Sequence, residues 1–135
     1  MLPTNKRAFT LIELILVITL IAITSVVTYN IFGNARLNSR DNKRKTDIET
    51  IRGALERYRY DSGRYITGTD LSVLIPNYIG AMPTDPDNAR SYAYTSSNGK
   101  TYIVCASMES SSNQTGGVGC PAACGTTCNY SLGNP

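Results

Sequence analysis

The chain has 135 residues, 13 Lys+Arg against 10 Asp+Glu, no His, no Trp and four Cys. That length sets an expectation of one domain with a modest core, and the lack of His excludes Ser-His-Asp and Cys-His catalysis and His-ligated metal sites. The 41% hydrophobic content is that of an ordinary globule, yet 17 of the 24 residues from Phe9 to Phe32 are apolar against 39 of the other 111.

Residues 1–8 contain the basic pair Lys6-Arg7. The apolar stretch that follows is long enough to cross a bilayer. At 1.5 Å per residue a 24-residue helix reaches about 36 Å, against a hydrocarbon core of about 30 Å. A cleaved secretory signal, a permanent anchor and the spine of a helix bundle compete for this segment. Glu13 interrupts the apolar run and no A-x-A follows it, which speaks against the first. A carboxylate inside a membrane-length helix costs about 2.5–3.5 kcal/mol on insertion scales, so it needs a partner or a purpose. Either Glu13 snorkels to the interface, helped by the positive end of the helix dipole, or it neutralises a cation buried among neighbouring helices.

Beyond Gly33, residues Asn34 to Asp47 are strongly polar, with Leu37 the only sizeable apolar side chain. A helix polar on every side is expected to bridge environments without packing into a core. Residues 33–70 hold nine Lys/Arg and six Asp/Glu, so the basic excess is local, centred on Arg36, Arg40 and Lys43-Arg44-Lys45. It has no adjacent stacking aromatics, so contact with nucleic acid is conceivable but unsupported, and a solvated helix face or a stretch lying near anionic lipid is favoured. Ile48, Ile51, Leu55 and Tyr58 then form one helical stripe, with Glu49–Arg52 and Glu56–Arg59 spaced to pair off it. Asp61-Ser62-Gly63 ends the pattern. The reading is one nearly continuous helix from about Phe9 to Tyr60, some 52 residues and about 78 Å long, softest at Gly33-Asn34 and Gly53.

The remainder is a small body. Thr69-Asp70 is expected to cap a short helix over Leu71 to Ile75, ended by Pro76, and residues 82–86 form a loop. Tyr92–Thr95 and Thr101–Met108 read as strands joined at Asn98-Gly99, with Tyr102, Val104 and Ala106 on one face and Ile103 and Cys105 on the other. Ser110 to Gly119 reads as a mobile loop. Cys105, Cys120, Cys124 and Cys128 raise zinc for an intracellular chain. Outside the cytosol they read as two disulfides of undetermined connectivity, which is the favoured reading for so small a body. The fold class is therefore α+β, a long N-terminal helical spine on a small antiparallel sheet. Its segments are 1–8, 9–32, 33–60 and 61–135.

The run Lys6-Arg7-Ala8-Phe9-Thr10-Leu11-Ile12-Glu13, followed by Leu14-Ile15-Leu16-Val17-Ile18, resembles the N-terminal signal of type IV pilins and pseudopilins. The resemblance implies that residues 1–8 are a leader cut between Ala8 and Phe9 by a prepilin peptidase, with Phe9 then N-methylated. It implies that Glu13 pairs with the terminal amine of a neighbouring subunit, the buried cation that the carboxylate needs. The implied partners are copies of the chain, other pilins or pseudopilins, the peptidase, an inner-membrane assembly platform and membrane lipid. The filament would be at the cell surface or in the periplasm, with no enzymatic role and no cofactor. Ala8 stands where Gly is most frequent in that family, and the apolar helix lacks Pro.

Met82-Pro83-Thr84-Asp85-Pro86, Tyr92-Ala93-Tyr94 and Gly99-Lys100-Thr101-Tyr102 are similar to the major pseudopilins of type II secretion, where a following acidic, Gly-rich loop binds calcium. Here the segment Glu109 to Gly119 holds one carboxylate, too few for a calcium site, so no metal is expected. Asp85 and Asp87 are of the residue type that could supply calcium ligands, but turn formation is the favoured reading. Counting Lys/Arg on each side of the apolar segment, taken alone, leaves the body in the cytoplasm, whereas the signal and the cysteines place it outside. The competing reading is a membrane-anchored extracytoplasmic binding or sensor module that does not polymerise.

Overall fold

The computed structural model describes residues 9–121 and 124–134, and within its long helix the side chains of residues 27–31 are left aside. The leader expected over 1–8, with Lys6, Arg7 and Ala8, lies outside the described residues. Helix α1 runs over Leu11–Ser62, 52 residues. It starts where Thr10 accepts a hydrogen bond from the Glu13 N–H at 3.4 Å, the geometry of an N-cap. It stops at Gly63, whose φ of +74° is the left-handed conformation that ends helices, with its N–H returning to the Arg59 carbonyl at 2.8 Å. The chain divides into two compact units, 1–36 and 37–135.

In the first unit every described side chain is exposed. Leu11, Ile12, Leu14, Ile15 and Leu16 lie between 48% and 76% exposed, on all sides of the helix. Among the described residues no helix is long and apolar enough to cross a membrane, the side chains of residues 27–31 being outside those described.

The second unit is built on a three-stranded antiparallel sheet in the order β1-β2-β3, formed by Ala93–Thr95, Ile103–Ala106 and Tyr130–Gly133. Ala93 lies opposite Cys105, and Cys105 opposite Ser131. Strand alternation sorts the two faces as the sequence pattern predicts. Tyr102, Val104 and Ala106 pack with Ile48, Ile51 and Leu55 of α1. Ile103 and Cys105 turn the other way, into a cluster with Ala93, Cys120, Cys124 and Cys128. Asn98 builds the hairpin turn by accepting from the Lys100 and Thr101 N–H groups at 2.8 and 3.0 Å. The short helix expected over Leu71–Ile75 is a single 3-10 turn, Ser72–Leu74, begun by Asp70 accepting from the Ser72 N–H at 2.8 Å.

Three expectations need correction. The polar part of α1 does pack into a core, because Asp41 and Arg44 are fully buried. The start of the segment read as a mobile loop is pinned: the N–H groups of Glu109 and Ser110 both donate to Asp41 at 2.9 Å, and Ser111–Asn113 forms a 3-10 turn. The third is Glu56, which does not pair with Arg59 directly. Both meet at the Tyr65 hydroxyl, which donates to Glu56 at 2.9 Å and accepts from Arg59 at 2.8 Å.

The four cysteines form two disulfides, Cys105–Cys120 and Cys124–Cys128. The first spans 15 residues and ties the tail across the sheet face turned away from α1. Chain-entropy arithmetic for a 15-residue loop gives about 3 kcal/mol, and for the four-residue separation of the second about 2 kcal/mol. Replacing Cys105 and Cys120 together by serine is therefore expected to lower the melting temperature more than replacing Cys124 and Cys128. Thermal melts of the two double variants check the order.

Candidate assembly site

The apolar end of α1 presents Phe9 at 78% exposure, Thr10 as cap and Glu13 in the first turn. From Phe9 to Val26 Glu13 is the one ionisable side chain. The hydroxyls in this stretch are turned back on their own backbone. Thr19 donates to the Leu16 carbonyl at 2.9 Å, Thr24 to that of Leu20 at 3.0 Å and Ser25 to that of Ile21 at 2.7 Å. A hydroxyl bonded within its own helix can enter an apolar surrounding without an unmet donor. The surface thus offers dispersion and desolvation on every side and one charge at one end. Large contiguous apolar surface of this kind marks a contact with membrane or protein.

The second constellation holds the body together and escaped the sequence reading. Arg44 donates from Nε and Nη2 to the two Asp85 oxygens at 2.8 Å each, a bidentate fork. Its Nη1 reaches Asp41 and Glu109, both at 2.8 Å. Arg40 forms a second fork to Glu109. Asp41, besides taking the Glu109 and Ser110 amides, accepts from the Asn113 side-chain amide at 3.0 Å. Asp85 also accepts the Asp87 N–H at 2.8 Å, so it is both a turn former and the counter-ion of Arg44. Lys43 pairs with Asp47 and Lys45 donates to Asn113, so much of the basic run is consumed inside the body. Among the described residues no buried side-chain nitrogen or oxygen lacks a partner.

The electrostatics follow from these contacts. The Arg40 fork, against the opposing effect of desolvation and with help from Arg44, pulls Glu109 down to about 2. Burial pushes Asp41 up, but the Glu109 and Ser110 amides, Asn113 and Arg44 together leave it below the usual carboxylate range. A carboxylate depressed in the folded state adds stability that is present above its unfolded value and is lost as pH falls through the folded one. Stability is therefore expected to be flat above about pH 5 and to fall from about pH 4.5 toward 2, where the unfolded chain takes up a proton at Glu109 that the folded one does not, with Asp41 adding a loss of the same sign. A urea titration at stepped pH measures it. In the core, burial raises Tyr94 to about 12, and Tyr102, also desolvated and donating to Glu56 at 3.2 Å, is raised as well.

Of the residues singled out from the sequence, Phe9 lies exposed just before α1, Glu13 is exposed in its first turn, and the four cysteines meet on the outer face of the sheet. Among the described residues no group of three or more acidic or Cys side chains is placed to hold a metal ion.

A long helix, apolar and uncovered over its first half, joined in sequence to a small α+β body, defines the class of the pilin fold. The prokaryotic N-terminal methylation motif matches residues 3–29. The type II secretion system core protein G of Klebsiella pneumoniae is 33% identical over 98 residues, covering 61% of this chain and 69% of that protein. The protein of the same description from Klebsiella michiganensis is 36% identical over 90 residues, covering 65% and 59%. That from Pectobacterium carotovorum is 31% identical over 98 residues, covering 61% and 62%. No solved structure matches. The chain belongs to the type IV pilin and pseudopilin family, as a structural protein and not an enzyme.

Proposed function

We propose that the chain is a subunit of a secretion pseudopilus, anchored in the cytoplasmic membrane by its apolar helix until it polymerises, with its body outside the cytoplasm. The observation that carries this reading is the apolar stretch of α1 exposed on all sides, with Glu13 as its one charge. In the bilayer, lipid covers that surface. In a filament, the helices of other copies and of related pseudopilins cover it. The relatives' assignment to type II secretion favours a pseudopilus over an adhesive pilus or a DNA-uptake filament.

In this reading a prepilin peptidase cuts between Ala8 and Phe9, Phe9 is N-methylated, and an assembly platform in the inner membrane lifts the subunit into the filament. Glu13 accepts the terminal amine of a neighbour. Burying that carboxylate is tolerable only against a paired cation, which makes the pair a register mark. The disulfides agree with an oxidising compartment.

Intact mass of the protein extracted from the membrane tests processing and location together. The expected species begins at Phe9, carries one added methyl and is lighter by the four hydrogens of two disulfides. A species retaining residues 1–8 overturns the reading, as does thiol labelling that finds the body in the cytoplasm.

A further inference from the structure

Of the five cations from Arg36 to Lys45, four are engaged inside the body. Arg40 forks to Glu109, and Arg44 holds Asp41, Asp85 and Glu109. Lys43 pairs with Asp47, and Lys45 donates to Asn113. Arg36 is left over. It is exposed, and among the described residues nothing forms a hydrogen bond or ion pair with it. A guanidinium stays charged at any physiological pH and offers five N–H donors in a planar fork. When such a group leaves bulk water, it needs an anion with two oxygens to face the fork.

Its position says which anion. Arg36 stands 23 residues after Glu13 in the same helix, about 35 Å along the axis. No Asp, Glu, Lys or Arg lies between them. The two opposite charges thus frame the apolar stretch at a spacing slightly longer than a hydrocarbon core of about 30 Å. With Glu13 at one boundary, Arg36 falls among the headgroups of the other, where a long cationic side chain can keep its stem in the apolar layer and its tip in the polar one. Phe32 and Gly33 stand four and three residues before it, on the same helix face. Phe32 is exposed, and a Cβ built on Gly33 would meet nothing within 4 Å, so a headgroup has open ground beside the arginine.

We propose that Arg36 binds the phosphate of an anionic phospholipid in the leaflet on the body's side, while the subunit waits in the membrane. The contact rests on the membrane-anchored reading and narrows its lipid partner to one side chain and one headgroup chemistry. Phosphate oxygens take the guanidinium fork in pairs, and a net negative headgroup supplies the counter-charge that the chain does not. One cation at an anionic surface strengthens binding about fivefold. The contact also sets depth, because a subunit held by Arg36 keeps Glu13 at the opposite boundary. Leaving the bilayer for a filament then requires this one ionic contact to break.

Native mass spectrometry of the full chain in mild detergent, offered phosphatidylglycerol or phosphatidylcholine, tests it by counting the lipids that stay bound. The parent is expected to retain phosphatidylglycerol about fivefold better than phosphatidylcholine. Arg36→Gln is expected to lose that preference while the body melts as in the parent, since Arg36 lies outside the unit that contains the sheet. Arg36→Lys, with charge but no fork, falls between them. Lys43→Gln, at an exposed cation already paired with Asp47, is expected to match the parent. A parent without the preference, or an Arg36→Gln variant that keeps it, overturns the contact. Loss in Lys43→Gln as complete as in Arg36→Gln overturns it too, because the attraction would then be diffuse. If Arg36→Gln keeps its lipids and instead forms fewer filaments, the arginine serves a second copy and the lipid contact fails while the polymer stands. If the parent does not sediment with vesicles of either lipid, the anchored reading itself fails and the contact with it.

Discussion

Arg44→Ala is expected to unfold the body or bring it close to unfolding. The substitution removes the one cation that satisfies Asp41, Asp85 and part of Glu109 at once, and leaves Asp41 and Asp85 as buried carboxylates with fewer partners. Breaking a buried pair from one side costs about 3–5 kcal/mol, because the stranded charge keeps its desolvation penalty. A small domain has about 5–15 kcal/mol in all, and loses about 4–8 °C of melting temperature per kcal/mol. A fall of roughly 15–30 °C follows, read by circular dichroism of the full chain in detergent. Arg44→Lys keeps the charge but not the fork to Asp85, and belongs between the two. If Arg44→Ala melts within a few degrees of the parent, the cluster does not hold the body as described.

Glu13→Val should leave insertion, cleavage and the melting of the body unchanged while abolishing filaments. The side chain is exposed and outside the unit that contains the sheet, so removing it disturbs no packing there. In the membrane the change relieves a cost of about 2.5–3.5 kcal/mol, so the variant is expected to be held at least as firmly by the bilayer. In the proposed filament it deletes the group that the reading assigns as acceptor for a neighbour's amine. Glu13→Asp, one methylene shorter, should assemble partly, and Glu13→Gln should separate charge from hydrogen bonding. The ratio of sheared to membrane-retained protein measures each. Normal filaments from Glu13→Val would remove the register role.

The helix and hairpin were legible because local patterns encode them. Ile48, Ile51 and Leu55 recur at helical spacing, and Tyr102 to Ala106 alternate at strand spacing, with each set facing the other in the core. The Arg44 cluster was not legible. Asp41 and Arg44 at i, i+3 look the same whether they face water or a core, and their other partners lie 41 to 72 residues away. A run of cations reads as a solvated face until the carboxylates that cover it are found. Strand β3 was missed for another reason. Tyr130–Gly133 has only two apolar residues and no tight hairpin turn joining it to β2, and it is a strand because β2 offers it an edge. The exposed apolar helix was readable from composition, whereas the role proposed for Glu13 came through family resemblance.

The arginine that anchors the body appears early in the chain and its partners late. As the polypeptide emerges, Arg44 meets Asp85 only after another 41 residues and Glu109 later still, and β2 gains its last neighbour at Tyr130–Gly133. Apart from the local Asp41–Arg44 pair, the contacts that bury the cluster close long loops, so the body cannot complete its fold in stages from the N-terminus. Folding of the body is thereby timed to the end of its delivery, and a subunit halted partway has no finished body to lend to a growing fibre.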